Sequence, residues 1–184
     1  LAAKWEGRTV FVEDESVFSL KPYTAYGWYP TGPAVHVPMN FQGNQRFYAF
    51  GVANGKKEHY YFYSDKKKKK RGNKNGKKKQ NIDAKMTLNF LKRINKNYRK
   101  LLLIWDKSAN HTAGVVQQYA QIHDIKQEWF PTACPDENPM ENAWDTLKEA
   151  TANDYHKTIY DYRKAVKRET TKKNLTTMFK YLRC

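Results

Sequence analysis

Residues 101–106 read Leu-Leu-Leu-Ile-Trp-Asp, and the first five form the longest purely apolar run of the chain. A continuous apolar run bounded by polar residues is typical of a strand covered on both faces of a sheet. On its N-terminal side, apolar residues recur at helical spacing from Ile82 to Tyr98. On its C-terminal side, Thr112 is predicted to cap a helix that runs to about Gln121. The run therefore predicts a sheet buried between helices.

Four other segments have the alternation or the β-branched and aromatic composition of strands. They span residues 8–14, 46–53, 59–64 and 125–130. Asn54-Gly55 is a strong hairpin signal between the second and third of the five strands. Asn138-Pro139 predicts a helix start with Asn as N-cap, and a last helical stretch begins near Ile159. The order of elements predicts an α/β fold, a mixed five-stranded sheet flanked by helices.

The length of 184 residues predicts one domain over residues 1–184. No segment approaches the ~20 apolar residues of a membrane-spanning helix. The chain begins at Leu1 without a Met or a signal peptide, which suggests an excised fragment. Cys134 and Cys184 are far apart and favour neither a disulfide framework nor a zinc site. These features favour a reducing, cytoplasmic location.

The chain is strongly basic, with 34 Lys and Arg against 18 Asp and Glu, a net charge of +16. Such a charge attracts polyanions such as nucleic acid or an anionic membrane surface. Residues 66–79 hold ten of the positive charges and no acid, and without them the net charge is +6. Since so many like charges repel each other, we expect a solvated lysine-rich loop at 66–81.

Two carboxylates, Asp14 and Asp106, each follow a predicted strand, where sites form in α/β sheets. If the two strands are parallel neighbours, these carboxylates converge and repel unless a cation lies between them. Magnesium prefers such oxygen ligands. Glu141, separated from Asp106 by 34 residues, can supply a third carboxylate. The three acids predict a site for two ions about 4 Å apart that promotes phosphoryl transfer.

Other acids compete for these roles. Glu13 and Glu15 flank Asp14, but alternation along a strand turns both away from the face that Asp14 shares with Val10 and Val12. Glu141 also fits a capping box, in which its side chain would reach back to the N-cap amide. Asp136, which is separated from Asp106 by 29 residues, is the alternative third acid.

The same segments resemble the catalytic domain of mariner-superfamily DDE transposases, in the insertion-sequence branch. The resemblance covers about residues 8–170 and rests on three motifs. The first is Asp14-Glu15-Ser16 with Phe18, Trp28, Pro30 and Gly32; the second is Leu103-Ile104-Trp105-Asp106 with His111. The third and most specific is Phe130-Pro131, then Cys134 to Glu141, then Trp144, Leu147 and Lys148.

The resemblance implies a ribonuclease-H-like fold in which Asp14, Asp106 and Glu141 are catalytic and hold two Mg²⁺ ions, with Mn²⁺ as a substitute. It makes Glu15, His111 and Asn138 neighbours of the active site, with His111 orienting a phosphate or water. The helical spacing of Trp144 and Leu147 predicts that both are core residues.

The implied reaction is transposition. Water attacks a phosphodiester at the transposon end, and the freed 3′-hydroxyl then attacks target DNA, typically at a TA dinucleotide. The loop at about 19–44 corresponds to a region that reaches a partner subunit, so the resemblance implies a homodimer on DNA. The family's helix-turn-helix region would lie upstream of Leu1. A prokaryotic copy would be associated with the nucleoid, and neither a membrane nor a small-molecule cofactor is expected.

The chain departs from the family pattern at several positions. Lys107 replaces a frequent Asn after the second aspartate and can compete with a metal for Asp106. Ala133, Cys134 and Glu137 replace the usual Tyr, Ser and Leu, and the lysine-rich loop is an addition. The basic residues predicted to contact DNA are Lys66, Lys67, Lys68, Lys69, Lys70, Arg71 and Lys107.

Two alternative functions remain open. A decayed or repurposed transposase fragment would bind nucleic acid without catalysis and without dependence on magnesium. A general metal-dependent nuclease of the same fold would cut DNA without specific ends and would not join strands.

Overall fold

A five-stranded sheet forms the centre of the structure, a computed structural model that describes residues 7–21, 23–25, 28, 31–32, 36, 45–64, 82–131 and 137–172. The strands are β1 (Thr9–Ser19), β2 (Arg46–Ala53), β3 (Glu58–Ser64), β4 (Leu101–Trp105) and β5 (Ile125–Trp129). They lie in the order β3-β2-β1-β4-β5. The β1–β2 and β2–β3 pairs are antiparallel, whereas β1–β4 and β4–β5 are parallel. The predicted mixed five-stranded sheet is confirmed.

Helices cover both faces of the sheet. The described ranges contain α1 (Ala84–Asn95), α2 (Gly114–Ile122), α3 (Pro139–Ala150) and α4 (Ile159–Lys172). Helices α1 and α2 pack on one face, around Phe11, Phe50 and Trp105. Helices α3 and α4 pack on the other, around Val12, Phe18 and Phe47. Burial of apolar side chains on both faces explains why the β4 segment is apolar throughout.

Local signals account for several element ends. The Asn54 carboxamide oxygen accepts hydrogen bonds from the amides of Lys56 and Lys57, and Gly55 takes a positive φ of 76°, so the predicted hairpin forms. Asp83 caps α1 by accepting from the Met86 amide at 2.9 Å. Asn138 caps α3 as predicted, with Pro139 in its first turn.

Two predicted boundaries are wrong. Strand β1 does not end at Asp14 but continues to Ser19, because β2 pairs with it along this whole length, out to Ser19 opposite Arg46. Helix α2 is not capped by Thr112: it begins at Gly114 after Ala113, without a side-chain cap. The Thr112 hydroxyl instead donates to the carbonyl of Ser108 at 2.9 Å.

Several predictions fall on residues outside the described ranges. They include the lysine-rich loop at 66–81, most of the loop at 19–44, the alternative acid Asp136, and both cysteines. Within the described part of the chain, none of the helices has the length and apolar character needed to cross a membrane.

Candidate active site

Asp14 and Asp106 lie equally far beyond the last pair of residues in the parallel β1–β4 ladder. That pair is Val12 opposite Ile104, and both side chains pack on the face covered by α3. Asp14 follows Val12 on this face because side chains alternate along a strand. Asp14 is thus inside β1 rather than at its end, but it lies where β4 stops. The parallel pairing of β1 and β4 thus places Asp14 and Asp106 at the same level of the sheet, and their joint role as metal ligands stays a prediction.

Helix α3 contacts Asp14 directly. The buried indole of Trp144 donates through Nε1 to Asp14 Oδ2 at 2.8 Å. Gly51 of β2 lies opposite Asp14, and a Cβ atom there would come within 2.7 Å of the Trp144 ring. The sequence predicted Trp144 as a core residue only. The available signal was its polar Nε1 group, since a buried indole N–H usually requires an acceptor.

Glu141 lies in the first turn of α3, one helical turn before Trp144, and its side chain is exposed. Burial, and then the charges of Glu15 and Glu141, raise the pKa of Asp14 to about 7, against the hydrogen bond from Trp144. Asp14 and Glu141 are therefore close enough to repel each other. An acidic pair of this kind has the charge and the hard oxygen donors that suit Mg²⁺ or Mn²⁺.

The start of α3 is capped by Asn138 and not by Glu141. The Asn138 carboxamide oxygen accepts from the Met140 amide at 3.1 Å, while its Nδ2 donates to the carbonyl of Glu13 in β1 at 3.4 Å. Among the described residues no hydrogen bond joins the Glu141 carboxylate to the Asn138 amide. Asn138 therefore ties the N-terminus of α3 to β1, and the Glu141 carboxylate remains available to a ligand.

The imidazole of His111 contacts both the side chain and the backbone of Asp106. The imidazole Nδ1 lies 2.6 Å from Asp106 Oδ1 and 2.8 Å from the Asp106 backbone oxygen. The hydrogen bond from His111 lowers the pKa of Asp106, against partial burial. The Asp106 side chain is 57 % exposed, so this carboxylate is ionised and accessible to a cation.

A second acidic group lies on the other face of β1. Glu13 and Glu15 point towards His111, whose Nε2 is 3.1 Å from Glu15 Oε1 and 3.5 Å from Glu13 Oε2. The sequence predicted that these two glutamates face away from Asp14, and the contacts agree. The ligand-type atoms of Glu13, Glu15 and His111 all lie within 4.8 Å of one another, with His111 at their centre.

In this second group, the imidazole of His111 carries the positive charge that offsets the neighbouring carboxylates. Burial alone would lower the pKa of His111, but hydrogen bonds to Asp106 and Glu15 and the charges of Glu13 and Glu15 raise it to about 11. Burial, and then the charge of Glu15, hold the pKa of Glu13 well above its ordinary range. The imidazolium supplies positive charge among Glu13, Glu15 and Asp106, whereas Asp14 and Glu141 have no such counter-charge in their contacts described above.

Of the residues predicted to contact DNA, the structure describes Lys107. It follows Asp106 and is exposed. Lys66, Lys67, Lys68, Lys69, Lys70 and Arg71 lie outside the described residues, so their role stays a prediction.

Comparisons with known proteins agree with this geometry. The chain is similar to the Mos1 mariner transposase in its paired-end complex with Mg, with a TM-score of 0.69 and 12 % identity over 98 % of this chain and 54 % of that one. The Mos1 paired-end complex with the left transposon end gives a TM-score of 0.67 at 14 % identity, over 94 % of this chain and 50 % of that one. The present chain thus spans about half the length of these transposase chains.

The isolated catalytic domain of Mos1 gives a TM-score of 0.63 at 10 % identity, over 94 % of this chain and 74 % of the domain. The fold is therefore ribonuclease-H-like, as the resemblance implied. A comparison with curated proteins gave no match.

The family model of the DDE superfamily endonucleases matches residues 9–163. This range includes all three motifs on which the resemblance rests. The chain belongs to the DDE superfamily endonuclease family.

Proposed function

We propose that this chain is the catalytic domain of a DNA transposase, which hydrolyses phosphodiester bonds at transposon ends and transfers the 3′-hydroxyl into target DNA. Asp14, Asp106 and Glu141 are its proposed catalytic residues and metal ligands. The observation that carries the proposal is the level position of Asp14 and Asp106 beyond the β1–β4 ladder, with Glu141 of α3 near enough to raise the pKa of Asp14. Membership of the DDE endonuclease family supports it.

The chain supplies ligands and their orientation. Asp14 is fixed through Oδ2 by Trp144, and Asp106 is fixed through Oδ1 by His111. Glu141 provides a third carboxylate from the exposed first turn of α3. When bound, two magnesium ions supply activation of the attacking oxygen and stabilisation of the leaving oxygen. No covalent link between enzyme and DNA is needed for this chemistry.

The proposed partners are transposon ends and target DNA, bound by a homodimer. Mos1 transposase, which shares the fold, occurs in a paired-end complex with a transposon end and in a strand transfer complex. The net charge of +16 supports a polyanionic partner. Lys107 lies beside Asp106 at the exposed edge of the site, where it can contact a DNA phosphate.

Anomalous scattering from Mn²⁺-soaked crystals tests the site without requiring activity. We expect a manganese peak within about 2.0–2.4 Å of oxygens from Asp14 and Asp106, with Glu141 as a further ligand. Crystals of the Asp106→Asn variant serve as the control and should lose at least one peak. If manganese binds none of the three carboxylates, the enzyme assignment fails and a nucleic-acid-binding module becomes the better account.

A further inference from the structure

His111 is almost completely buried, which does not suit a residue that contacts substrate. Its side chain is 1 % exposed, and its ring stacks on the Trp105 indole with centroids 4.1 Å apart and planes 17° apart. Both ring nitrogens face oxygen acceptors of the protein: Asp106 at Nδ1 and Glu15 at Nε2. Burial and two occupied nitrogens leave the ring no polar atom to offer to a phosphate or a water.

The contacts of His111 join two parts of the sheet that the ladder does not connect. The β1–β4 pairing ends at Val12 and Ile104, so beyond this point backbone pairing no longer relates Asp106 to β1. His111 bridges the gap, since Nδ1 contacts Asp106 Oδ1 at 2.6 Å and Nε2 contacts Glu15 Oε1 at 3.1 Å. Glu13, which is fully buried, lies 3.5 Å from Nε2 on the same side of the ring as Glu15.

The bridge also determines which oxygen of Asp106 is used. The Ser108 amide donates to Oδ1 as well, at 3.4 Å, so both described hydrogen bonds to this carboxylate go to the same oxygen. The ring itself is fixed by its stack on Trp105 and by the bond from Gln117 Nε2 to the His111 carbonyl at 2.6 Å. These contacts at Oδ1 leave Oδ2 as the oxygen of Asp106 to which a cation can bind.

We propose that His111 is a positioning residue, which uses Glu15 and Glu13 of β1 as an anchor and turns Asp106 Oδ2 towards the metal. The inference rests on the proposed function, because it assigns a role at the same site. It differs from direct participation of His111, since the imidazole acts only through Asp106. Outer partners of metal ligands commonly contribute about 10–100-fold in metal affinity.

Two variants of His111 test the roles of the two imidazole nitrogens separately. In His111→Asn, the carboxamide nitrogen takes a place near imidazole Nδ1 and can still donate to Asp106. In His111→Gln, it takes a place near Nε2 and can reach Glu15 but not Asp106. The affinity for Mn²⁺, measured by the electron paramagnetic resonance signal of free Mn²⁺, should fall about 10–100-fold in H111Q and less than about 10-fold in H111N. Urea unfolding of each variant records any loss of stability separately.

Glu15 offers a second pair of variants that leaves the imidazole in place. Glu15→Gln and Glu15→Ala both remove the charge, but only E15Q keeps an oxygen acceptor for Nε2. We expect E15A to bind Mn²⁺ about 10-fold more weakly than E15Q. This pair keeps the inference testable if the His111 variants do not fold.

The outcomes distinguish the proposed function from the positioning role of His111. If the wild-type protein binds no Mn²⁺ at Asp106, the proposed function fails. If it binds Mn²⁺ there but H111N and H111Q bind equally well, or weaken only in proportion to their loss of stability, the positioning role is wrong. Equal affinities of E15A and E15Q overturn it as well.

Discussion

The indole Nε1 of Trp144 donates a hydrogen bond of 2.8 Å to Oδ2 of Asp14. This bond joins α3 to the central strand of the sheet, one helical turn from Glu141. It makes a core residue part of the candidate active site, because the packing of α3 sets the distance between two of the three carboxylates.

Replacement of Trp144 by Phe should weaken both stability and metal binding. The phenyl ring keeps much of the packing but leaves Asp14 without its donor, so we expect a loss of about 1–3 kcal/mol in the free energy of unfolding and weaker Mn²⁺ binding. Urea titrations and Mn²⁺ titrations measure the two effects. Trp28→Phe, which changes a fully exposed indole, is the control and should keep the Mn²⁺ affinity. Unchanged Mn²⁺ binding in W144F would show that the bond has no part in the site.

Replacement of Gly51 by Ala should displace α3. The new Cβ would meet the Trp144 ring at 2.7 Å and the Met140 side chain, and overpacking of this kind costs about 1–3 kcal/mol. The double variant G51A/W144F should be less destabilised than the sum of the single variants, because the smaller ring relieves part of the clash. Strict additivity in urea unfolding would contradict the contact.

Asp14→Asn should stabilise the metal-free protein at neutral and alkaline pH. Folding raises the pKa of Asp14 from an ordinary 3.8 to about 7, so ionised Asp14 destabilises the fold. This cost is absent below about pH 4, grows up to about pH 7 and is complete above it. At about 1.36 kcal/mol per pKa unit, the gain in D14N at pH 8 reaches up to about 4 kcal/mol and exceeds the gain at pH 5.

Urea unfolding in EDTA at the two pH values measures this difference. Asp145→Asn changes an exposed carboxylate of α3 and should alter stability by less than about 0.5 kcal/mol. Added Mg²⁺ should stabilise the wild-type protein more than D14N, because only the former offers the charged ligand. A gain that is the same at pH 5 and pH 8 would rule out the titration of Asp14 as its cause.

Asp106→Asn should abolish metal-dependent nicking and leave DNA binding intact. The carboxamide lacks the charge that a ligand to Mg²⁺ requires, whereas the basic surface is unchanged. Nicking of supercoiled plasmid with Mn²⁺ and salt titration of DNA binding measure the two properties. Lys107→Ala is the control for the adjacent position and should weaken DNA binding rather than remove nicking. Wild-type nicking by D106N would refute the proposed catalytic role.

Replacement of the six basic residues 66–71 by uncharged residues should weaken nonspecific DNA binding and reduce the dependence of this binding on salt concentration. Each phosphate contact contributes a slope of about −0.9 in a plot of log affinity against log salt concentration, so loss of six contacts would change the slope by about 5. Filter binding at several salt concentrations measures it. Equal substitution of exposed residues on α4, such as Lys164 and Lys167, provides a comparison. An unchanged slope would indicate a solvated loop without a role on DNA.

The elements of the sheet were predictable wherever the signal is local. The apolar run Leu101–Trp105 requires burial on both faces, and Asn54-Gly55 closes a hairpin whatever surrounds it. Asn138-Pro139 likewise starts α3 from its own backbone preferences. Thr112 failed as a cap because its hydroxyl found a carbonyl acceptor at Ser108 instead. Strand β1 ran past Asp14 because β2, far along the chain, continued to pair with it.

The sequence by itself determined the class of fold, the three candidate carboxylates, and the face of β1 on which Asp14 lies, since these follow from periodicity and motif. Only the tertiary structure decided how the carboxylates are held. The bond from Trp144 to Asp14 spans 130 positions, and the bond from His111 to Glu15 spans 96. No local pattern encodes such pairs. They form because burial brings polar atoms together that must satisfy one another once water is excluded.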